Sequence, residues 1–159
     1  MNNKGKNKKN NKMIESLILR KPEIPEEFDA MYDLRWRTLR EPWNQPKGSE
    51  KDDSEDISIP IIAILDGKII GTARLHKVED KLCQFRYLAV EEKFRRRGVA
   101  TAILHKIEEI AKKQGFQSVF LNARKSAKDV FIKQGFEIVG EGSTIFGVIE
   151  HFKMRKSLL

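Results

Sequence analysis

Apolar residues change their spacing several times along this chain, and the changes divide it. From Ile57 to Val90 they come in dense runs, ISIPIIAILDGKIIGTARLHKVEDKLCQFRYLAV, broken at Asp66-Gly67 and near Glu79-Asp80. Asp-Gly between two strand-like runs signals a hairpin. Three antiparallel strands are therefore predicted over about 57–65, 68–78 and 82–90, with Pro60 placing the first near an edge or a bulge. After Arg97 the period becomes helical. Ala100, Ile103, Ile107, Ile110 and Ala111 share one face with charges opposite, and Gly115 suits the stop. QSVFLNA then reads as a short strand, SAKDVFIKQ as a helix ending at Gly135, and FEIVGE and GVIEHFKMRKSL as strands.

Upstream, residues 14–20 (IESLILR) read as a strand and KPEIPEEFDAMYDLRWRTLR as a helix. Pro25, Glu26 and Glu27 suit a first helical turn, and Phe28, Met31, Leu34 or Arg35, and Leu39 give its apolar stripe. Residues 41–56, EPWNQPKGSEKDDSED, are polar with two prolines and a glycine, hence a loop. Ordered loops of that length are often functional. The order β-α-βββ-α-β-α-ββ implies an α/β fold, a mixed sheet with helices on both faces.

Composition adds boundaries. With 159 residues, 40% hydrophobic and 34% charged, the chain fits one globular unit with an ordinary core. No apolar run is long enough to span a bilayer, and the basic start lacks the apolar segment of a secretory signal. A single cysteine, Cys83, excludes an internal disulfide and fits the cytoplasm. Of the net charge of +8, the first twelve residues supply five lysines and no acid, which leaves +3 for residues 13–159. Residues 1–12 are expected to form a disordered basic tail and residues 13–159 the folded domain. Such a tail can touch nucleic acid or an acidic membrane, but no aromatic residue interleaves its lysines to stack on bases. Neither is therefore expected as the principal partner.

The chemistry concentrates in LAVEEKFRRRGVA, residues 88–100: a strand, a turn and a helix start. A helix N-terminus presents unpaired N–H groups and partial positive charge, and small residues there admit a phosphorylated ligand. Arg95, Arg96 and Arg97 would oppose the helix dipole unless an anion joins them. The stretch is neither a G-x-x-x-x-G-K-[ST] phosphate loop nor a G-x-G-x-x-G dinucleotide turn.

RRRGVA, with YLAV before it and AKDVFIKQGF after it, resembles the R/Q-x-x-G-x-G/A signature and flanking elements of the GCN5-related N-acetyltransferases (GNAT), in their ElaA-like branch. The resemblance covers about residues 14–157 and implies a mostly antiparallel central sheet and an enzyme, an acyltransferase using acetyl-CoA without a metal. It implies pyrophosphate on the amides of Arg96, Arg97, Gly98, Val99 and Ala100, with Arg95 adding charge. It implies that the pantetheine arm pairs with the backbone of Leu88, Ala89 and Val90, and that an N–H near Leu88 polarises the thioester. An amine, small-molecule or peptide, then attacks directly.

At the acid and base the chain departs from the family. The usual tyrosine of the later helix aligns with Phe131 and the usual strand glutamate with Gln84; neither transfers a proton. His151 in VIEHFKM is the remaining candidate base, with a structural histidine as the plain alternative. His76 and His105 read as structural and surface residues, and Tyr87 as core, alternating away from Arg86 and Leu88. For the acceptor, Arg35, Arg40 and Arg86 could hold a carboxylate or phosphate, Trp36 and Trp43 could wall a pocket, and the acids of residues 50–56 could attract a cationic amine. Each also fits ordinary surface, or for Arg86 a structural ion pair. Three scattered histidines and one cysteine give no metal-ligand spacing. Without its usual acid and base, the chain also fits a non-catalytic acyl-CoA-binding module. A homodimer paired along the terminal strand is compatible with the pattern.

Overall fold

The computed structural model describes residues 3–159. Seven strands form one sheet in the order β1-β2-β3-β4-β5-β7-β6. They are β1 (Ile18–Arg20), β2 (Ile59–Leu65), β3 (Lys68–Glu79), β4 (Leu82–Val90), β5 (Ser118–Arg124), β6 (Glu137–Glu141) and β7 (His151–Ser157). Helices α1 (Asn3–Glu15), α2 (Pro25–Leu39), α3 (Val99–Lys113) and α4 (Lys128–Lys133) connect or flank them. Every pairing is antiparallel except β4 with β5, which α3 joins as a crossover. Among the described residues no helix is long and apolar enough to cross a membrane.

The β2–β3 turn is tight because Asp66 and Gly67 both take positive φ, 49° and 78°, which matches the strand twist. Pro60 pairs with β3 but lies beyond the end of β1, which reaches only Ile62–Ile64, so no neighbour on that side needs its missing N–H. Alternation then sorts the sheet. Ile61, Ala63, Ala73, Leu75 and Phe85 join α3's Val99, Ile103 and Ile107 in the larger core. Ile62 and Ile64 face the other way, against Met31 of α2.

Three expectations change. Residues 3–12, expected to be disordered, are helical, and Met13 at the end of α1 is buried in the main core with Ile14 packed beside it. Tertiary contact overrides a polar composition here. The strand expected over 14–20 shrinks to Ile18–Arg20 because α1 runs through Glu15. The terminal strand is no pairing edge: β7 lies between β5 and β6, and the outer edge belongs to β6, whose five residues are all exposed.

Alternation also fails at Tyr87. Thr72 pairs with Ala89 while Arg74 pairs with Arg86, so Ala73 faces two residues of β4. The extra residue forms a bulge with Tyr87 at φ 58°. Tyr87 thereby leaves the α3 core and turns among arginines on the α2 side. The α3 side of the same strands is tightly filled: a Cβ on Gly71 would stand 2.6 Å from Ile103 Cδ1 and 3.4 Å from Val99 Cγ1. Gly71→Val is expected to lower the urea midpoint by the equivalent of about 1–3 kcal/mol through overpacking, measured by equilibrium unfolding.

Candidate active site

β4 and β5 pair over only three positions, Leu82–Gln84 against Ser118–Phe120, and then part. The opening is a cleft of about 780 Å³. One wall is the second half of β4 and the turn into α3; the other is the end of β5 with Val130 and Phe131 of α4. Leu88 and Val90 line it along β4, and Ala89 is buried between them in sequence. The Val90 carbonyl accepts a hydrogen bond from Arg95 Nε at 3.0 Å.

The N-terminus of α3 opens into this cleft. It has no side-chain cap and no acidic residue in its first turn. Its first intrahelical bond runs from Ala102 N–H to Gly98 O, which leaves the preceding amides as free donors. Arg96 at φ 59° and Gly98 at φ 89° are both left-handed, a backbone form that gathers successive N–H groups into an anion-binding concavity. The glycine serves this φ rather than ligand clearance, since a Cβ there would point at Ile14 of α1, 3.6 Å away. Arg95, Arg96 and Ala100 line the cleft. Arg97 does not: its Nε donates to Asn10 Oδ1 at 3.1 Å and its guanidinium lies over Phe94. Val99 anchors the helix in the core.

On the α2 side, arginines and acids interlock. Arg74, fully buried in mid-β3, donates to both oxygens of Asp52 at 2.6 and 2.8 Å and to Glu55 at 2.6 Å. Glu55 also takes Arg35 Nη1 at 2.8 Å, and Asp52 takes Arg86 Nη1 at 2.7 Å. The Arg74 side chain holds the Asp52 carboxyl far below the usual range. Arg35 keeps Nε and Nη2 without hydrogen-bond partners, but its guanidinium lies 4.6 Å from the Tyr87 ring centroid and 5.1 Å from that of Tyr32. Asp52 and Glu55 are therefore ties that strap the 41–58 segment onto the sheet, not free acids awaiting an amine. Glu50 is likewise turned inward, accepting Gly48 N–H at 2.7 Å.

The candidate acceptor residues separate. Arg40 and Arg86 line the cleft; Arg35 and Trp36 do not. Arg35 is sealed beneath with Glu55, and Trp36 Nε1 donates to Gln45 O at 3.0 Å within the loop. Arg124, one residue past the strand QSVFLNA and given no role in the sequence reading, lines the cleft with its guanidinium 4.4 Å from the Trp43 ring centroid. Trp43 thus props a cation. A charged residue directly after a short strand was its only signal.

His151 lines the cleft and is buried. Its Nδ1 lies 2.9 Å from Ser143 O and 3.1 Å from Ile149 O. Two carbonyls can only accept, so Nδ1 carries the proton and a neutral ring leaves its lone pair on Nε2. Nε2 has no hydrogen-bond partner among the described residues. Gln84 and Phe131 also line the cleft, Phe131 edge-on to Phe136. His76 is buried against Arg74, and burial first, then that cation, lowers its pKa. His105 sits on the surface, 2.8 Å from Gln134 Oε1. Burial pushes the Cys83 thiol up to about 12, which makes it inert as a nucleophile. Among the described residues no cluster has the makings of a metal site.

Residues 28–136 match the acetyltransferase (GNAT) family. Similar solved structures include an aminoglycoside 6'-N-acetyltransferase complexed with coenzyme A, with 16% identity, a TM-score of 0.76, and coverage of 89% of this chain and 97% of that one. The PaiA N-acetyltransferase of Thermoplasma acidophilum, in complex with coenzyme A, shares 18% identity at a TM-score of 0.73, covering 89% and 99%. ElaA of Escherichia coli shares 16% at 0.72, covering 88% and 97%. At these identities the likeness is one of fold.

The arginine–acid strap gives the fold a defined acid limit. Asp52 has a depressed folded pKa, so its stabilisation is present above the ordinary aspartate pKa of about 4 and is lost as pH falls through the folded value. The urea midpoint is expected to fall steadily below about pH 4, and Asp52→Asn to flatten that acid slope while lowering the midpoint at pH 7.

Proposed function

The chain belongs to the acetyltransferase (GNAT) family, and on that premise we propose that it moves an acetyl group from acetyl-CoA to a primary amine by direct attack on the thioester. The observation that carries the reading is the uncapped N-terminus of α3, flanked by Arg95 and Arg96, opening into the gap between β4 and β5. These residues fit the cosubstrate. Free amides from Arg96 to Ala100 would hold its pyrophosphate, with Arg95 and Arg96 adding charge. The backbone of Leu88 and Val90, which β5 does not pair, would take its pantetheine arm as an added strand, Arg95 giving up the Val90 carbonyl. Acetyl-CoA supplies the activated acetyl group, and the protein positions it.

The chain's own part in the chemistry is then electrostatic and protonic. A main-chain N–H near Leu88 would stabilise negative charge on the thioester oxygen. His151, with Nδ1 fixed on two carbonyls, would take the amine's proton at Nε2. Phe131 donates no proton, so the departing thiolate takes one from water or from His151 itself. The ElaA-like affiliation is supported by one distant fold neighbour. A cytoplasmic location is part of the same proposal, supported by a lone, buried, unpaired cysteine.

A second reading, a non-catalytic acyl-CoA-binding module, is favoured by Gln84 and Phe131 at the cleft. Thiol release from acetyl-CoA across a panel of amines separates the two: turnover with any amine supports the enzyme. On a turned-over amine, His151→Gln is expected to lower kcat by about 10²–10⁴ with acetyl-CoA affinity by calorimetry unaltered. An unaltered kcat would reject His151 as the base.

A further inference from the structure

The arginines around the acceptor side of the cleft are of two kinds. Arg35, Arg74 and Arg86 are matched by Asp52 and Glu55. Arg40 and Arg124 make no salt bridge among the described residues, and their hydrogen bonds go to main-chain carbonyls. Arg40 donates to Ser49 O at 3.0 Å and Leu39 O at 2.9 Å; Arg124 donates to the same Leu39 O at 3.4 Å. Two guanidinium groups thus converge on one carbonyl. Glu50 makes no bond to either guanidinium; its carboxylate accepts Gly48 N–H and acts on Arg40 only through its field.

This convergence is built. Arg40 is 8% exposed and lies 5.6 and 5.4 Å from the ring centroids of Tyr87 and Phe146. Arg124 is propped by Trp43. Aromatic faces hold the planes of both cations and leave donors on their edges free for a ligand. Burial lowers both pKa values, and neighbouring cations add to it, Arg86 at Arg40 and both Arg40 and Arg95 at Arg124. Like charges gathered in a half-buried site carry a cost that Tyr87 and Glu50 offset only in part at Arg40, and that an oxyanion would remove.

The register places this pair beside the proposed base. Arg124 of β5 is the direct partner of His151 of β7, so both side chains rise from the same face at facing positions. Resting on the transferase reading above, we infer that the acceptor is an amine carrying its own oxyanion, a carboxylate or phosphate, which Arg124 and Arg40 hold while the amine lies at His151. Polycationic amines would meet two unmatched guanidinium groups and are disfavoured. The nitrogen and the oxyanion must be close in the molecule, because the two side chains that receive them are neighbours across one strand pair.

The test compares charge at constant shape. Thiol release is measured with the standard α-amino acids, with their α-carboxamides, and with 2-aminoethyl phosphate beside ethanolamine. Acceptors with the oxyanion are expected to exceed their neutral counterparts in kcat/KM by about tenfold to a hundredfold, the worth of one charged hydrogen-bonded contact. Arg124→Gln should collapse that ratio mainly through KM, and Arg124→Lys should retain part of it, with thermal melts verifying that each variant folds. Whether carboxylates or the phosphate show the preference identifies the source of the anion. Equal or better turnover of the neutral counterparts overturns the inference and leaves the transferase reading standing. Weakened acetyl-CoA binding in Arg124→Gln also overturns it, since Arg124 would then serve the cosubstrate. Binding of acetyl-CoA without turnover of any amine removes the transferase reading, and this inference with it.

Discussion

β4 and β5 hold each other over three residues, and the site depends on where they part. A parallel pair joined by a helical crossover normally continues as sheet. Here the hydrogen-bonding edge of β4 is released halfway along, at the level where the bulge at Tyr87 re-aims it. One event therefore yields a cleft, a free strand edge within it, and a helix N-terminus at its mouth. The α3 core keeps these parts rigid, because Val99, Ile103 and Ile107 are buried against β3 and β4 immediately behind the opening.

The opposite face is organised by charge rather than by apolar packing. Its hydrophobic cluster is small, Met31, Ile62 and Ile64, and beside it lie two fully buried arginines. Asp52 and Glu55 neutralise these and draw a polar loop down onto the sheet. Such a network costs desolvation and returns specificity of geometry. It surrounds Tyr87, whose ring in turn lies against Arg40 and Arg86 at the cleft. Compensated and uncompensated arginines are thus neighbours with different tasks.

Much of the layout was legible in the sequence. Period-2 and period-3.6 runs marked β2 to β5, β7 and α2 to α4, because in those segments local pattern and tertiary burial agree, while β6 was marked by its residue types alone, its side chains being exposed. RRRGVA stood out as a candidate anion site because three cations before a helix conflict with its dipole; that Arg97 turns away to Asn10 was not visible. The failures have a common cause. α1 is polar by composition and helical through Met13, a contact with distant core residues. The bulge at Tyr87 follows from a count of residues across two strands, which neither strand carries alone. The roles of Arg35 and Arg124 depend on partners 20 and 85 residues away in the chain. Arginine content was visible; which arginines were already neutralised was not.

The contact between Arg95 and the Val90 carbonyl has a consequence for solubility. A strand whose edge is free inside a sheet is a template for any extended chain, including another copy of the same protein. The protein sets a charged side chain on that edge, at the Val90 carbonyl. An intruding strand must displace a guanidinium and bring an apolar segment past Arg96 as well. The same side chain therefore puts a charge on an edge that would otherwise pair with any extended chain.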